Sequence, residues 1–235
     1  MTGEPSELEL GVRESLPLGL ALVPIGLAFG YLAHTVGLSW WLAGLMSAAV
    51  YGGPSQFLAG NLITIGAGTP AIIATTFVAN LRYSLFSTSL VPLFEDAPPS
   101  RLLPLAHGVA DGSYALTVRH AVQRPERERK DRYLVGSFLV SFGSWVPSSI
   151  VGALIGSSLP ELLSYGFDFA TPAIFIAFLA SSVRDRIGAA VMLLAGVGTI
   201  IGIEYLPTGT GPVLALTAAA LLGGTLRWRP EPHSS

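Results

Sequence analysis

Long apolar stretches, separated by short polar connections, make up most of this 235-residue sequence. A helix needs about 20 mostly apolar residues to cross the hydrocarbon core of a bilayer. Stretches of that kind lie at 15–36, 39–65, 69–93, 133–157, 168–184, 187–204 and 210–227. They predict an all-α polytopic membrane protein, with residues 1–235 forming one transmembrane domain.

The composition agrees with a bilayer environment. Hydrophobic residues make up 51% of the chain and charged residues only 12%, against about 25% charged residues in soluble domains. The net charge of −2 offers no basic surface for nucleic acid. There is no cysteine for a thiolate metal site, and the four histidines lack metal-ligand spacing. No metal or other cofactor is therefore expected.

Loop charges predict how the chain is oriented in the membrane. The basic loop, residues 124–132, carries five basic side chains, and Arg184, Arg186, Arg227 and Arg229 follow later. Positively charged loops stay in the cytoplasm. We therefore expect a multi-pass protein of the cell membrane whose basic loop and C-terminus are cytoplasmic.

The segment 104–122 leaves the number of spans open. It is long enough to cross but contains His107, Asp111, Arg119 and His120. If it crosses, there are eight spans and a cytoplasmic N-terminus; otherwise there are seven spans and the N-terminus is outside. Eight spans are favoured because polar side chains are accepted in helices that face a bundle interior.

Polar or helix-breaking residues interrupt two of the apolar stretches. The first contains Gly52-Gly53-Pro54-Ser55-Gln56 and the second contains Asn80-Leu81-Arg82-Tyr83. A charge at the bilayer centre costs roughly 2.5–3.5 kcal/mol, and irregular backbone persists there only when it is buried or lines a cavity. Paired broken helices point to a transporter's binding site, so both motifs are candidate substrate-binding segments.

Each motif has two interpretations. Gly52–Gln56 is either a proline kink satisfied by its neighbours or a helix break whose free N–H groups face an anion such as an amino-acid carboxylate. In the second case Ser55 and Gln56 add donors. In the motif with Asn80, Arg82 either extends to an interface or pairs with a buried carboxylate for structure, or else it holds a substrate carboxylate or organises a gate.

Four further residues are candidates for coupling or gating. Asp111 is a candidate counter-charge for Arg82 and a candidate proton carrier, and Tyr83 adjoins Arg82. Trp145 lies within a span, away from the interfaces where aromatic belts form. Asp168 is another possible counter-charge, although helix N-capping also explains an aspartate there.

A weak internal repeat suggests how the domain is built. Residues 69–84 align without gaps on residues 171–186, and in an eight-span protein these helices run in opposite directions. The chain would then contain an inverted repeat with halves 1–123 and 124–235.

Glycine pairs four residues apart predict close helix packing. They are Gly26/Gly30, Gly152/Gly156 and Gly198/Gly202. This spacing lets two helix backbones approach one another.

An enzyme and a scaffold are the alternatives to a transporter. Ser55 in one span and His107 in another loosely resemble the Ser/His dyad of rhomboid-type intramembrane proteases. Pro54 precedes the serine and Phe57 stands where that motif has glycine, so no enzyme activity is expected. A non-transporting scaffold and a channel remain open.

The motifs together resemble the AzlC family, the large subunit of branched-chain amino acid exporters. The similarity runs from Gly11 to about Leu222. It is carried by Gly11–Pro17, Pro24–Gly30, Met46–Phe57, Asn80–Arg82, Ala110–Leu116, Trp145 and Gly166–Phe169. Gly112 departs from the family, in which an acidic residue commonly follows the aspartate.

The resemblance implies a function that the residues alone do not. It implies efflux of branched-chain or similar small hydrophobic amino acids by a secondary transporter, coupled by analogy to the proton gradient. It also implies a small hydrophobic partner subunit of the AzlD type.

Overall fold

The computed structural model describes residues 5–94, 97–158, 183, 185–206, 214–215, 218–219 and 221–223. These residues are helical or lie in connections, and none is in a strand. The helices are α1 (Glu7–Thr35), α2 (Trp40–Val50), α3 (Gly53–Thr64), α4 (Thr69–Leu90), α5 (Pro99–His107), α6 (Asp111–Gln123), α7 (Lys130–Ser158) and α8 (Arg186–Tyr205), with a 3-10 turn at Val91–Phe94. The all-α prediction is confirmed for this part of the chain.

Helix boundaries depart from the predicted spans in informative places. Helix α1 begins at Glu7, well before the predicted start at residue 15, because the Ser6 hydroxyl caps it by accepting a bond from the Glu9 N–H. The segments 39–65 and 104–122 each form two helices. Asp168 and the second copy of the predicted repeat lie outside the described residues, except for its last few positions.

The second predicted interruption is wrong. Helix α4 runs unbroken through Asn80–Tyr83, because polar side chains leave the backbone hydrogen bonds of a helix intact. Its only proline, Pro70, lies in the first turn, where proline is tolerated. The second break instead separates α5 from α6, next to Gly108.

Helices α1 and α7 pack side by side and run in the same direction. Residue numbers rise together along the contact, which joins Gly11 to Tyr133, Gly26 to Ser148 and Gly30 to Ala153. Both helices therefore begin at the same end of the molecule. Among the described residues, these two have the length and mean hydropathy, 1.9 and 1.7, to cross a membrane.

Glycines, which have no side chain, make this close contact possible. A Cβ on Gly152 would lie 2.8 Å from the Leu27 carbonyl carbon, and a Cβ on Gly30 would lie 2.7 Å from the Ala153 nitrogen. Both positions meet backbone that cannot move aside. The predicted packing role of Gly26/Gly30 and Gly152/Gly156 is confirmed.

A cluster of ion pairs ties the start of α1 to the basic loop. The buried Glu7 carboxylate lies 2.7 Å from His120 and 3.1 Å from Arg127. Glu14 accepts a 2.7 Å hydrogen bond from Arg124. This bond raises the pKa of Arg124. The N-terminal end of α1 and the basic loop therefore lie together.

The chain forms two compact units. The first comprises Met1–Phe57 with Ala79–Thr171, and the second comprises Leu58–Val78 with Pro172–Ser235. The first unit has a small apolar core that joins the 3-10 turn and α5 to α7; its buried members are Leu90, Phe94, Ala97, Leu105, Val109 and Leu134. All site contacts described below lie within the first unit.

The glycine contact between α1 and α7 predicts an asymmetric response to alanine. Gly152→Ala should destabilise the purified protein by about 1–3 kcal/mol through overpacking. Gly143→Ala, on the same helix, is the control because no atom lies within 4 Å of its Cβ position. It should be neutral or stabilising by up to about 1 kcal/mol through helix propensity. Equal thermal unfolding temperatures for the two variants in detergent would contradict the packing.

Candidate functional site

The first helix break is centred on Tyr51 and Gly52. Helix α2 ends at Tyr51, whose φ of 45° lies in the left-handed region. In a continuous helix the Gly52 N–H would donate to the Ala48 carbonyl. Here it donates instead to the side-chain oxygen of Gln56, at 3.2 Å.

Gln56 is the central residue of this break. Its Oε1 also accepts a 3.1 Å bond from the Trp145 indole, and its Nε2 donates to the Ser47 hydroxyl at 3.0 Å. Ser55 donates to the Gly52 carbonyl at 2.8 Å. Gln56 and Ser55 are fully buried, so both side chains satisfy the break itself in this conformation.

Trp145 supports the break from α7. It is buried, and its ring stacks on Phe29 with centroids 6.1 Å apart. A Cβ on Gly53 would contact the indole at 3.3 Å. These contacts explain a tryptophan in the middle of a predicted span.

The second break meets the first. After α5 ends at His107, the Ser113 hydroxyl accepts a bond from the Ala110 N–H and donates to the Gly108 carbonyl. The His107 Nε2 lies 2.9 Å from the carbonyl oxygen of Ala48. One carbonyl that loses its helical partner at the first break, that of Ala48, is thus satisfied by the last residue before the second break.

An ion pair joins α4 to the first residue of α6. The Arg82 guanidinium lies 2.9 Å from the Asp111 carboxylate and 2.9 Å from the Tyr83 hydroxyl, which donates to Asp111 at 3.2 Å. The Arg82 and Asp111 side chains are 35% and 39% exposed. The structure thus brings three of the predicted site residues into one partly exposed cluster.

Asn80 lies between this cluster and the first break. A Cβ on Gly52 would lie 3.1 Å from both Asn80 Oδ1 and the Tyr83 ring. Within the described part of the chain, Asn80 Oδ1 and Arg82 Nε are buried without hydrogen-bond partners. Buried polar atoms normally have partners, and here one orphan is an acceptor and the other a donor.

A mostly apolar cavity opens nearby, between the end of α4 and α5. Its volume is about 260 Å³. The lining includes Ser87, one turn beyond Tyr83, and Val109, two residues before Asp111; most of the remainder is apolar, from Val91, Phe94, Leu102, Leu103 and Leu105.

The geometry gives no support to the protease alternative. The Ser55 hydroxyl donates to the Gly52 carbonyl, whereas His107 bonds to the Ala48 carbonyl. A nucleophile and its general base must lie within hydrogen-bond reach of each other. Each side chain is occupied by a separate backbone group.

A match to a known family covers most of this arrangement. The family model described as AzlC protein matches residues 17–159, which include both breaks, Arg82 and Trp145. The chain belongs to the AzlC family.

Two relatives of this AzlC-family chain are named as membrane proteins and a third as a transport protein. It is 27% identical over 180 residues to the inner membrane protein YgaZ of Escherichia coli, covering 75% of this chain and 73% of that one. It is 29% identical over 219 residues to an uncharacterized membrane protein of Archaeoglobus fulgidus, covering 91% and 93%. It is 24% identical over 163 residues to the branched-chain amino acid transport protein AzlC of Bacillus subtilis, covering 69% and 62%. No solved structure shows a significant match.

Removing the Gln56 amide should destabilise the AzlC-family fold. Gln56→Leu leaves the Gly52 N–H and the Trp145 indole N–H without an acceptor, at about 1–3 kcal/mol for each buried group. Thermal unfolding in detergent should show a total loss of about 2–5 kcal/mol. Gln123→Leu, the same change at an exposed site, should stay within about 0.5 kcal/mol. Equal stability of the two variants would show that Gln56 does not hold the break.

Proposed function

We propose that this protein exports branched-chain or similar small hydrophobic amino acids across the cell membrane. The observation that carries the proposal is the Arg82–Asp111–Tyr83 cluster, which adjoins a helix break and remains about one-third exposed. A charged pair in contact with hydrocarbon is costly, so such groups face a cavity or a pathway. The relative named for branched-chain amino acid transport supports the choice of substrate.

The chemistry of the cluster matches an amino-acid zwitterion. Arg82 offers a planar fork for a carboxylate, and its Nε lacks a partner among the described residues. Asp111 and the unpartnered Asn80 Oδ1 are acceptors, as an ammonium group requires. An amino acid inserted between Arg82 and Asp111 would exchange one ion pair for two. The apolar cavity near Val109 offers room for an aliphatic side chain.

The same carboxylate supplies a route for proton coupling. A protonated Asp111 is neutral and no longer attracts an ammonium group, so a proton and the substrate compete for it. Such competition means that binding of a proton to Asp111 displaces the substrate, and binding of the substrate displaces the proton. We therefore propose secondary active export driven by inward proton movement, in complex with a small hydrophobic AzlD-type subunit.

Counterflow in proteoliposomes tests the function as a whole. Vesicles loaded with unlabelled valine should accumulate radiolabelled valine, leucine and isoleucine but not lysine or glutamate. The assay should be run with and without the partner subunit. Entry of every amino acid only to its external concentration, without accumulation, would indicate a channel, and no uptake with the partner present would contradict transport.

The parallel packing of α1 and α7 supports eight spans. Because both helices begin at the same end, an even number of crossings separates their starts. Helix α1, the α2–α3 pair, α4 and the α5–α6 pair supply four. With the basic loop in the cytoplasm, the N-terminus then lies there as well.

Cysteine labelling tests this orientation in the naturally cysteine-free chain. Glu128→Cys, in the basic loop, should resist a membrane-impermeant maleimide in intact cells, whereas Glu204→Cys should react. Both side chains are exposed, so both variants should react after permeabilisation, which is the control. Equal labelling in intact cells would overturn the orientation.

Arg82 should be required for binding the substrate carboxylate as well as for pairing with Asp111. Arg82→Lys keeps the charge but loses the planar fork, and the loss of about 1.5–3 kcal/mol of hydrogen bonding to a charged group should reduce export roughly tenfold to a hundredfold. The double variant Arg82→Gln/Asp111→Asn should stay inactive while each single variant still reaches the membrane.

A purely structural pair behaves differently. Removing one partner strands the other charge, so losing both should be milder than losing either. Recovery of export in the double variant would show that Arg82 serves the fold and not the substrate. Glu9→Gln/Arg13→Gln is the matched control, because this exposed pair on α1 should contribute little.

A further inference from the structure

We infer that His107 is a positioning residue that holds the two helix breaks together. The break at Gly52 leaves the Ala48 carbonyl without its helical donor, since the Gly52 N–H is bonded to Gln56. His107, from another helix, supplies the replacement at 2.9 Å. The inference rests on the proposed function only for its transport measurement.

The direction of this bond fixes which ring nitrogen of His107 must carry a proton. A carbonyl oxygen only accepts hydrogen bonds, so Nε2 must carry the proton. Nε2 carries a proton in the imidazolium and in one of the two neutral tautomers. Both of these forms can therefore donate to the Ala48 carbonyl.

His107 is exposed, but aromatic side chains pack against its ring. Its ring packs on Tyr51, Phe138 and Phe142, with centroids 5.8, 6.0 and 6.3 Å away. Of these three rings only tyrosine can titrate. The nearest carboxylate in sequence, Asp111, is bonded to Arg82 and Tyr83.

The contact has a consequence for the ion pair. His107 is the last residue of α5, and Asp111 is the first residue of α6, four positions later. Anchoring His107 to Ala48 therefore limits how far the start of α6 can move from the first break. Asp111 is held where it meets Arg82, and the effect of His107 on transport acts through that placement.

Two substitutions at one position separate placement from proton transfer. His107→Gln keeps an N–H donor at a similar reach and cannot titrate, whereas His107→Leu removes the donor. We expect His107→Gln to keep at least half of wild-type counterflow with an unshifted pH profile. His107→Leu should fall at least tenfold.

The outcomes distinguish this inference from the transport proposal. Wild-type activity in His107→Leu would overturn the positioning role, and a His107→Gln variant that is as inactive as His107→Leu, or has a shifted pH profile, would assign proton transfer instead. If the wild type itself transports none of the amino acids, thermal unfolding decides. His107→Leu should then unfold about 2–6 °C below both His107→Gln and the wild type, and equal temperatures would overturn the contact.

Discussion

The contact between the two helix breaks depends on one backbone hydrogen bond that α2 cannot make, between the Gly52 N–H and the Ala48 carbonyl. In a bilayer no water is available to replace such a bond, so the protein must satisfy both groups itself. Gln56 takes the donor, and His107 takes the acceptor. One replacement comes from the next helix in the chain and the other from a second broken helix. Satisfying one lost bond therefore brings two breaks into contact, and Asp111 follows the second break directly.

The close packing of α1 and α7 provides the frame for this arrangement. Glycines on both helices allow backbone contact, which is the usual basis of helix association in lipid. Helix α7 also carries Trp145, which donates to Gln56, and Phe138, which packs on His107. Packing against α1 holds α7 in place, and it therefore also positions the side chains of α7 that contact both breaks. At the other end, the ion pairs of Glu7 and Glu14 keep the start of α1 beside the basic loop.

Local chemistry made much of this predictable from sequence. Apolar length indicated the helices, glycine spacing indicated close helix packing without identifying the partner helices, and Gly52-Gly53-Pro54 indicated the first break. The pairing of Arg82 with Asp111 was one of two alternatives. The second break was misplaced because the polar side chains of Asn80–Tyr83 were interpreted as an interruption, although polar side chains leave the backbone hydrogen bonds of a helix intact. Long-range partners were beyond reach: Gln56 and Trp145 are 89 residues apart, and nothing local to His107 indicates a bond to Ala48.

The tautomer of His107 tests most directly whether the two breaks share their hydrogen bonding. Nitrogen-15 solid-state NMR on histidine-labelled protein in lipid bilayers would resolve the four histidines, with His107→Gln identifying the signal. The structure predicts that Nε2 of His107 is protonated and hydrogen-bonded at neutral pH. A neutral imidazole with its proton on Nδ1 would have no donor for the Ala48 carbonyl, and would contradict the account.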